Sequence, residues 1–286
     1  MQPIIVRPFA IPIHLGALQF VVSGFGVAVL FAFLVAQLVS DHELRRRGHD
    51  LEAKHLGDVL LAAVLGTLIG GKLYYVLVVT HDWHTLVSRG GFVYWGGFTG
   101  AVIACWMTIR IRKLNFARYA DVAGIAIAAG YAVGRTGCWA VGDDYGKWYE
   151  GPLAVAFPNG IPPTTGGSMT QAFHAVFPPM MDPATLVSVV PTQLIEVAAG
   201  LVMFGILWRL RFHTHAEGWL FGVYALLAGV ERFLVEFLRV KDDRFFALSV
   251  AQCIAIVVAL AGIVVMRARN APPHQHRDTL TVAPSP

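Results

Sequence analysis

A permanently charged arginine, Arg135, ends a long apolar stretch within the motif Gly134-Arg135-Thr136-Gly137. At the centre of a membrane helix an arginine costs about 2.5–3.5 kcal/mol, so it persists where it has a partner or a task. Its guanidinium offers a planar fork of N–H donors that fits phosphate oxygens, and glycines allow a ligand to approach the backbone closely. The motif therefore predicts a site for a phosphate or a lipid headgroup, although an arginine that extends to the membrane interface fits Arg135 alone.

A second charged motif runs from Glu231-Arg232 through Glu236 to Arg239. In one helix, Arg232 and Glu236 are i,i+4 neighbours and Glu236 and Arg239 are i,i+3 neighbours, so the three share a face. An exposed pair contributes only about 0.2–0.5 kcal/mol, which is too little to justify burial in a membrane. We interpret Arg232 as a second cationic arm at the site, held by Glu236. The alternative is a self-neutralising pair that lets the helix insert.

Three further motifs are weaker individually. Glu196 lies about one turn inside a helix that Pro191 would open, where an acid also complements the helix dipole. The stretch Tyr94-Trp95-Gly96-Gly97 fits an aromatic belt at a membrane interface. The glycines of 66–71 favour close helix packing, and Lys72 after them adds another charge within an apolar run.

The composition specifies the elements that position these residues. Of the 286 residues, 56% are hydrophobic and only 14% are charged, with a mean hydropathy of +0.60. Soluble domains carry about 25% charged residues, so we predict an all-α integral membrane protein. The predicted transmembrane helices are seven: 17–39, 57–79, 93–110, 119–141, 191–209, 218–238 and 248–266.

Basic residues in the loops orient these helices, because cytoplasmic loops are rich in lysine and arginine. Thirteen of the 22 basic residues fall on one side: Arg45, Arg46, Arg47, Lys54, Arg110, Arg112, Lys113, Arg118, Arg209, Arg211, Arg267, Arg269 and Arg277. This bias places the N-terminus outside and the C-terminus in the cytoplasm. The charged motifs then share the extracytoplasmic face.

Residues 1–270 form one predicted membrane domain, with an irregular Pro- and Gly-rich outer loop at 142–190 that has a short helix near 171–177. The polar tail 271–286 is predicted to be a disordered cytoplasmic segment. The three cysteines are widely spaced and indicate no disulfide framework. No motif predicts a metal or a cofactor, and basic residues confined to loops give no support for nucleic-acid binding. Without an internal repeat, a transporter is disfavoured.

In this order, the motifs resemble those of the prolipoprotein diacylglyceryl transferases. The resemblance covers most of the chain: Gly70 to Leu77, Tyr94 to Gly97, Gly134 to Gly146, Gln193 with Glu196, and Arg232 with Glu236. It implies seven helices in a bacterial inner membrane, with the active site on the extracytoplasmic side. It further implies transfer of a diacylglyceryl group from phosphatidylglycerol to the lipobox cysteine of a preprolipoprotein, with release of glycerol phosphate and no cofactor.

The resemblance assigns roles to individual positions. The residues predicted to be catalytic are Arg135, Arg232, Glu236 and Glu196. The residues predicted to bind substrate are Tyr94, Trp95, Gly96, Gly97, Gly134, Gly137, Asp143, Tyr145, Gly146, Gln193 and Lys72. The two arginines would clamp the lipid phosphate and stabilise charge on the departing group.

Three positions depart from the family pattern. Trp95 replaces a histidine that would activate the thiol, and tryptophan cannot accept a proton. Glu196, Glu236, Asp143 and Tyr94 are the alternative candidates for this role. Cys138 replaces an asparagine and Lys72 an arginine. A second hypothesis is therefore a protein of this fold that binds an anionic lipid or lipopeptide without this activity, or transfers another group.

Overall fold

The fold is mostly helical. A computed structural model describes residues 3–15, 18–87, 93–178, 180–240, 244–245 and 248–270, so the predicted disordered tail 271–286 lies outside it. The helices are α1 Gly24–Arg46, α2 Asp50–Lys54, α3 Leu56–Tyr74, α4 Tyr94–Ile111, α5 Phe116–Val141, α6 Gly166–Phe173, α7 Thr192–Leu210, α8 Trp219–Val235 and α9 Val250–Ala268. A π-helix, Tyr75–Thr80, continues α3, and a 3-10 helix spans Trp83–Val87.

Among the described residues, four helical segments are long and apolar enough to cross a membrane: Gly24–Arg46, Leu56–Thr80, Thr192–Leu210 and Val250–Ala268. This property fits an integral membrane protein. The other predicted spans also contain helices, but whether α4, α5 and α8 cross the bilayer remains a prediction.

The first predicted helix, 17–39, was wrong at both ends. Strands β2 (Ala10–Leu15) and β3 (Leu18–Ser23) form an antiparallel hairpin there, and α1 begins only at Gly24. Hydropathy alone does not distinguish an apolar strand from a helix. The Ser23 hydroxyl accepts a hydrogen bond from the Gly26 amide at 3.2 Å, and this cap sets the start of α1.

Two other predicted boundaries also need correction. The helix expected over 218–238 ends at Val235, and the backbone turns there, with the Leu238 amide bonded to the Val235 carbonyl at 2.8 Å. The last helix begins at Val250 because residues 248–249 form β6, which pairs with β5 (Arg244–Phe245). Caps and turns set these ends, and hydropathy does not report them.

The predicted irregular loop 142–190 has an internal core. Six of its side chains are buried together: Tyr145, Val155, Phe157, Met169, Val187 and Val189. Strand β4 (Val155–Ala156) pairs in parallel with β1 (Ile4–Ile5). The helix expected near 171–177 lies earlier, at α6, because the Thr165 side chain caps it. The loop is therefore a small packed unit.

Close backbone contacts join α3 and α4. A Cβ atom at Gly66 would lie 2.5 Å from the Gly100 carbonyl oxygen, and one at Gly70 would lie 2.9 Å from the Gly100 Cα. Only glycine permits this approach. The centre of the bundle joins α5, α7 and α8 through a buried cluster: Ile125, Ala128, Met203, Leu207, Leu220 and Val223.

One end of the bundle is held by a polar network. Asp121, fully buried, accepts the Gly218 and Phe221 amides, both at 2.8 Å, and so caps the start of α8. Arg118 bonds both Glu52 and Glu217. These contacts bring together the loops that the sequence predicts to be cytoplasmic. The charged motifs of 131–146 and 231–239 lie at the other ends of α5 and α8.

Candidate functional site

Arg135 is held by two carboxylates near the end of α5. One guanidinium nitrogen, Nη1, donates to Asp144 Oδ2 at 2.7 Å, and the other, Nη2, donates to Glu196 of α7. The Nη1 group also lies 3.4 Å from the Cys138 sulfur. The Arg135 side chain is 12% exposed and that of Glu196 only 2%. A buried arginine of this kind needs such partners.

Arg239 binds the same two carboxylates. Its Nη2 donates to Asp144 Oδ1, and its Nη1 lies 3.5 Å from Glu196 Oε1. Arg239 lies beyond the end of α8, where its backbone bridges Gly146. The sequence placed Arg239 on one helical face with Glu236, but the early end of α8 directs it to Asp144 instead. Arg135, Arg239, Asp144 and Glu196 thus form a closed group, termed here the ion ring.

Asp144 ionises easily because of this ring. Burial alone would raise its pKa, but the charge of Arg239 and the hydrogen bonds from Arg239 and Arg135 lower the pKa of Asp144 to about 2. For the neighbouring Asp143, burial dominates and raises the pKa. The pKa values of these two adjacent carboxyl groups therefore shift in opposite directions, since only Asp144 forms ion pairs with both arginines.

The start of α7 fixes the segment that carries these aspartates. The Gln193 amide donates to the Asp143 carbonyl at 2.6 Å, and the Thr192 hydroxyl donates to the Asp144 carbonyl at 2.9 Å. Gln193 and Thr192 are fully buried. Gln193 thus contacts the backbone of the motif, and its own oxygen has no partner among the described residues. A glycine, Gly142, turns the chain after α5 with a φ of +70°.

Arg232 does not join the ion ring. Its Nη2 lies 2.8 Å from Glu236 Oε2, with the Arg232 side chain 36% exposed and that of Glu236 8% exposed. The predicted pairing of these two residues is therefore present. Their predicted convergence with Arg135 has no direct contact among the described residues, and Arg239 occupies the place next to Arg135.

Several predicted substrate-binding glycines pack helices together. A Cβ atom at Gly96 would collide with the Gly70 carbonyl and Tyr74, and one at Gly137 would lie 2.8 Å from Ala28 Cβ. A Cβ atom at Gly97 would come within 3.2 Å of Thr67. These contacts explain the glycines without a ligand. Gly134 differs, because open space surrounds its Cα.

Two more predicted residues contact the protein itself. Tyr145 is buried, donates to the Pro162 carbonyl at 2.8 Å and stacks on Phe157. Burial raises the pKa of Tyr145 well above its usual value. At Gly146, a Cβ atom would lie 2.6 Å from the Leu238 carbonyl oxygen, so this glycine lets two backbones meet. Both residues therefore support the segment that presents Asp144.

The aromatic motif and Lys72 lie on α3 and α4. Tyr94 begins α4, and its side chain is outside the described part of the chain. Trp95 is exposed on the surface of the bundle, and its carbonyl accepts the Thr99 hydroxyl at 2.8 Å. Lys72 is buried, with its ammonium 5.8 Å from the centre of the Tyr75 ring.

Sequence reasoning missed four residues around Arg135. These are Arg239, Asp144, Tyr131 and Glu231. Arg239 and Asp144 belong to the charged motifs of the sequence but were not predicted as site residues. Tyr131 donates to Glu231 Oε1 at 3.1 Å, and the Tyr131 ring lies 5.9 Å from the Arg135 guanidinium. The helical spacing of Tyr131 and Arg135 was the available signal. The described residues hold no cluster of His, Cys, Asp and Glu that would bind a metal ion.

Comparisons with known proteins identify the family of this chain. The relatives include proteins named phosphatidylglycerol–prolipoprotein diacylglyceryl transferase. That of Stenotrophomonas maltophilia is 29% identical, with 91% of this chain and 92% of the relative covered. That of Xanthomonas axonopodis pv. citri is 30% identical, with 92% of each covered, and that of Paraburkholderia phymatum is 30% identical, with 90% and 91% covered. A model of the family described as prolipoprotein diacylglyceryl transferase matches residues 12–268, so the chain belongs to that family.

Proposed function

We propose that this enzyme transfers the diacylglyceryl group of phosphatidylglycerol to the lipobox cysteine thiol of a preprolipoprotein. A thioether forms and glycerol phosphate leaves. The observation that carries the proposal is the pair of guanidinium groups, Arg135 and Arg239, set together at one end of an apolar helical bundle. The names of the relatives supply the two substrates.

The two guanidinium groups suit the phosphate of the lipid. Each arginine offers a fork of donors that matches two phosphate oxygens. When the carbon–oxygen bond to the phosphate breaks, the negative charge on the leaving group increases. Cations already fixed in place stabilise that charge without reorganisation. Arg135 and Arg239 would serve this role, and Arg232 would act as a further arm held by Glu236.

Glu196 is assigned to positioning rather than to proton transfer. Its carboxylate contacts Arg135 and Arg239 at once and is almost fully buried. Both of its oxygens face guanidinium groups, so a proton there would disrupt both ion pairs. Gln193 and Gly146 would hold the Asp144 segment in register with the arginines.

The site would face outward from a bacterial inner membrane. The arginine-rich loops gather at the end of the bundle opposite the ion ring, and such loops favour the cytoplasm. With seven spanning helices, this orientation would put the N-terminus outside and the C-terminus inside. The loop 142–190 would then meet the preprolipoprotein on the outer surface.

The test is a transfer assay in membranes that contain phosphatidylglycerol and a lipobox peptide, read by the mass of the peptide. The unaltered protein should add one diacylglyceryl group. Arg135→Ala and Arg232→Ala should each abolish the addition, and a peptide with serine in place of cysteine should gain no mass. If both variants kept full activity, the phosphate clamp would be wrong. An inactive wild-type protein that still bound phosphatidylglycerol would favour the alternative of a lipid-binding protein, to which Trp95 points.

A further inference from the structure

A thiol attacks carbon readily only after it loses its proton. A free cysteine has a pKa of about 8.5, so most of it is protonated at neutral pH. If the proposed transfer is correct, on which this inference rests, some group near the ion ring must accept that proton. The described part of the chain offers five carboxyl groups there: Asp143, Asp144, Glu196, Glu231 and Glu236.

Three of the five are already bound as counterions. Asp144 and Glu196 each contact both arginines of the ion ring, and Glu236 lies 2.8 Å from Arg232. A proton on any of them would break an ion pair in a partly buried place. These three carboxylates are therefore committed to holding cations.

Asp143 is enclosed by the protein. Its Oδ1 atom is buried without a hydrogen-bond partner among the described residues, and its backbone oxygen is bound by Gln193. An oxygen buried in this way is closed to an incoming thiol.

Glu231 is the remaining carboxylate. It forms no ion pair within the described part of the chain, and its one side-chain hydrogen bond there comes from the Tyr131 hydroxyl to Oε1 at 3.1 Å. Its second oxygen, Oε2, is left as an acceptor. The Tyr131 ring lies 5.9 Å from the Arg135 guanidinium, so Tyr131 stands in space between Glu231 and the ion ring. The charged groups that act on it are Arg135 from α5, Glu196 from α7 and Arg232 on its own helix.

We infer that Glu231, oriented by Tyr131, is the catalytic base that takes the proton from the lipobox thiol. The sulfur–hydrogen bond breaks and the proton moves to Glu231 Oε2. The sulfur then forms a bond to the glycerol carbon as the bond from that carbon to the phosphate oxygen breaks. The electron pair leaves with glycerol phosphate, and Glu231 releases its proton to that phosphate or to water. Tyr131 is a positioning residue, because it acts through Glu231.

The first experiment measures transfer by Glu231→Gln across a range of pH. General bases contribute about 10²–10⁴-fold, so kcat should fall by about 100-fold or more at neutral pH with little change in KM. The residual rate should rise with pH towards the pKa of the thiol, since only the ionised peptide then reacts. Tyr131→Phe should lower kcat by about tenfold. The matched control is Glu150→Gln, an exposed glutamate of the outer loop, which should keep wild-type kinetics.

The decisive experiment replaces the lipobox cysteine by selenocysteine. A selenol is more acidic than a thiol and is ionised at neutral pH, so it needs no base. Glu231→Gln should regain most of its rate with this peptide, whereas Arg135→Ala should not. A variant that had merely misfolded would not be rescued. If instead Asp143→Asn were rescued and Glu231→Gln kept full activity with cysteine, Glu231 would not be the base.

These outcomes also separate the inference from the proposed function. A wild-type protein that transfers nothing to either peptide would overturn the proposed function and the inference together. A wild-type protein that is active, with an unimpaired Glu231→Gln variant, would overturn the inference alone. Loss of activity in Glu231→Gln without selenocysteine rescue would also contradict a proton-accepting role.

Discussion

Arg135 and Arg239 share the same two carboxylates, although one arginine belongs to α5 and the other follows the end of α8. The shared partners, Asp144 and Glu196, come from two further segments. Four separate parts of the chain are therefore fixed to each other by one group of charges. Each guanidinium points its donors at defined oxygens, which a single ammonium group cannot reproduce.

This geometry predicts that lysine will not replace either arginine. Arg135→Lys and Arg239→Lys should each lower kcat/KM for transfer by about 10²–10³-fold, because one point charge cannot contact both carboxylates and a phosphate. The matched control is Arg209→Lys, an exposed arginine in the last turn of α7. Wild-type kinetics in Arg239→Lys would show that a point charge suffices at this position and would contradict the need for a guanidinium group.

The low pKa of Asp144 predicts a dependence of stability on pH. Its folded pKa of about 2 lies below the ordinary value of 3.8, so its contribution is complete above about pH 4 and disappears as pH falls through about 2. Because the Asp144 side chain is 41% exposed, solvent screening limits the contribution to about 1 kcal/mol. Thermal unfolding in detergent should give wild type a higher Tm than Asp144→Asn. The difference in Tm should be constant from pH 5 to 7 and should shrink below pH 4. A difference in Tm that grew on acidification would contradict the ion ring.

The two glycines beside Arg135 should behave in opposite ways. Gly137→Ala should destabilise the protein by about 1–3 kcal/mol, because the new Cβ would lie 2.8 Å from Ala28 Cβ and 3.1 Å from the Phe25 Cα. Gly134→Ala has open space, so it should leave stability equal or higher. Thermal unfolding tests both variants. If Gly134 contacts substrate, Gly134→Ala should raise KM without loss of stability.

Asp121 should matter for folding and not for chemistry. Asp121→Ala leaves the Gly218 and Phe221 amides without their buried acceptor, which should cost about 2–4 kcal/mol. The surviving folded enzyme should keep its kcat, because Asp121 lies at the end of α5 opposite Arg135. The control is Asp50→Ala at an exposed position of α2. A large drop in kcat per folded molecule would mean that the two ends of the bundle are coupled.

Cysteine labelling tests the proposed orientation. Gln171→Cys in the outer loop should react with an impermeant maleimide in intact spheroplasts, and Lys54→Cys at the end of α2 should react only after lysis. Both positions are exposed, so accessibility to reagent depends on the membrane. The parent protein measures the background from Cys105, Cys138 and Cys253. The reverse labelling pattern would place the ion ring on the cytoplasmic side.

The sequence indicated the helical content and the residues of the motifs, but not how those residues meet. Arg135, Glu196 and the Arg232–Glu236 pair were predicted because charges in apolar runs are costly. Arg239 was not, since hydropathy extended α8 through residue 238, whereas a backbone turn ends it at Val235. Local turns depend on backbone partners such as Gly146, which lie far away in sequence.

The glycines show a second limit of prediction from the sequence. A glycine-rich motif beside an arginine predicts ligand contact, yet Gly96 and Gly137 are explained by neighbouring helices. Close packing and close ligand approach demand the same residue, so sequence cannot separate them. The outer loop was similar: its prolines and glycines predicted irregular backbone, while its apolar residues form a core around Phe157.

The ion ring is electrically neutral before any lipid arrives, because two guanidinium groups face two carboxylates. A phosphate that reaches Arg135 or Arg239 therefore competes with an anion already bound there. Asp144 is the more exposed of the two carboxylates, at 41% against 2% for Glu196, so the side of the ring that Asp144 occupies is the side open to a phosphate. The lipid phosphate would then share the two guanidinium groups with both carboxylates, while the bonds from Thr192 and Gln193 keep the backbone of the Asp144 segment in place.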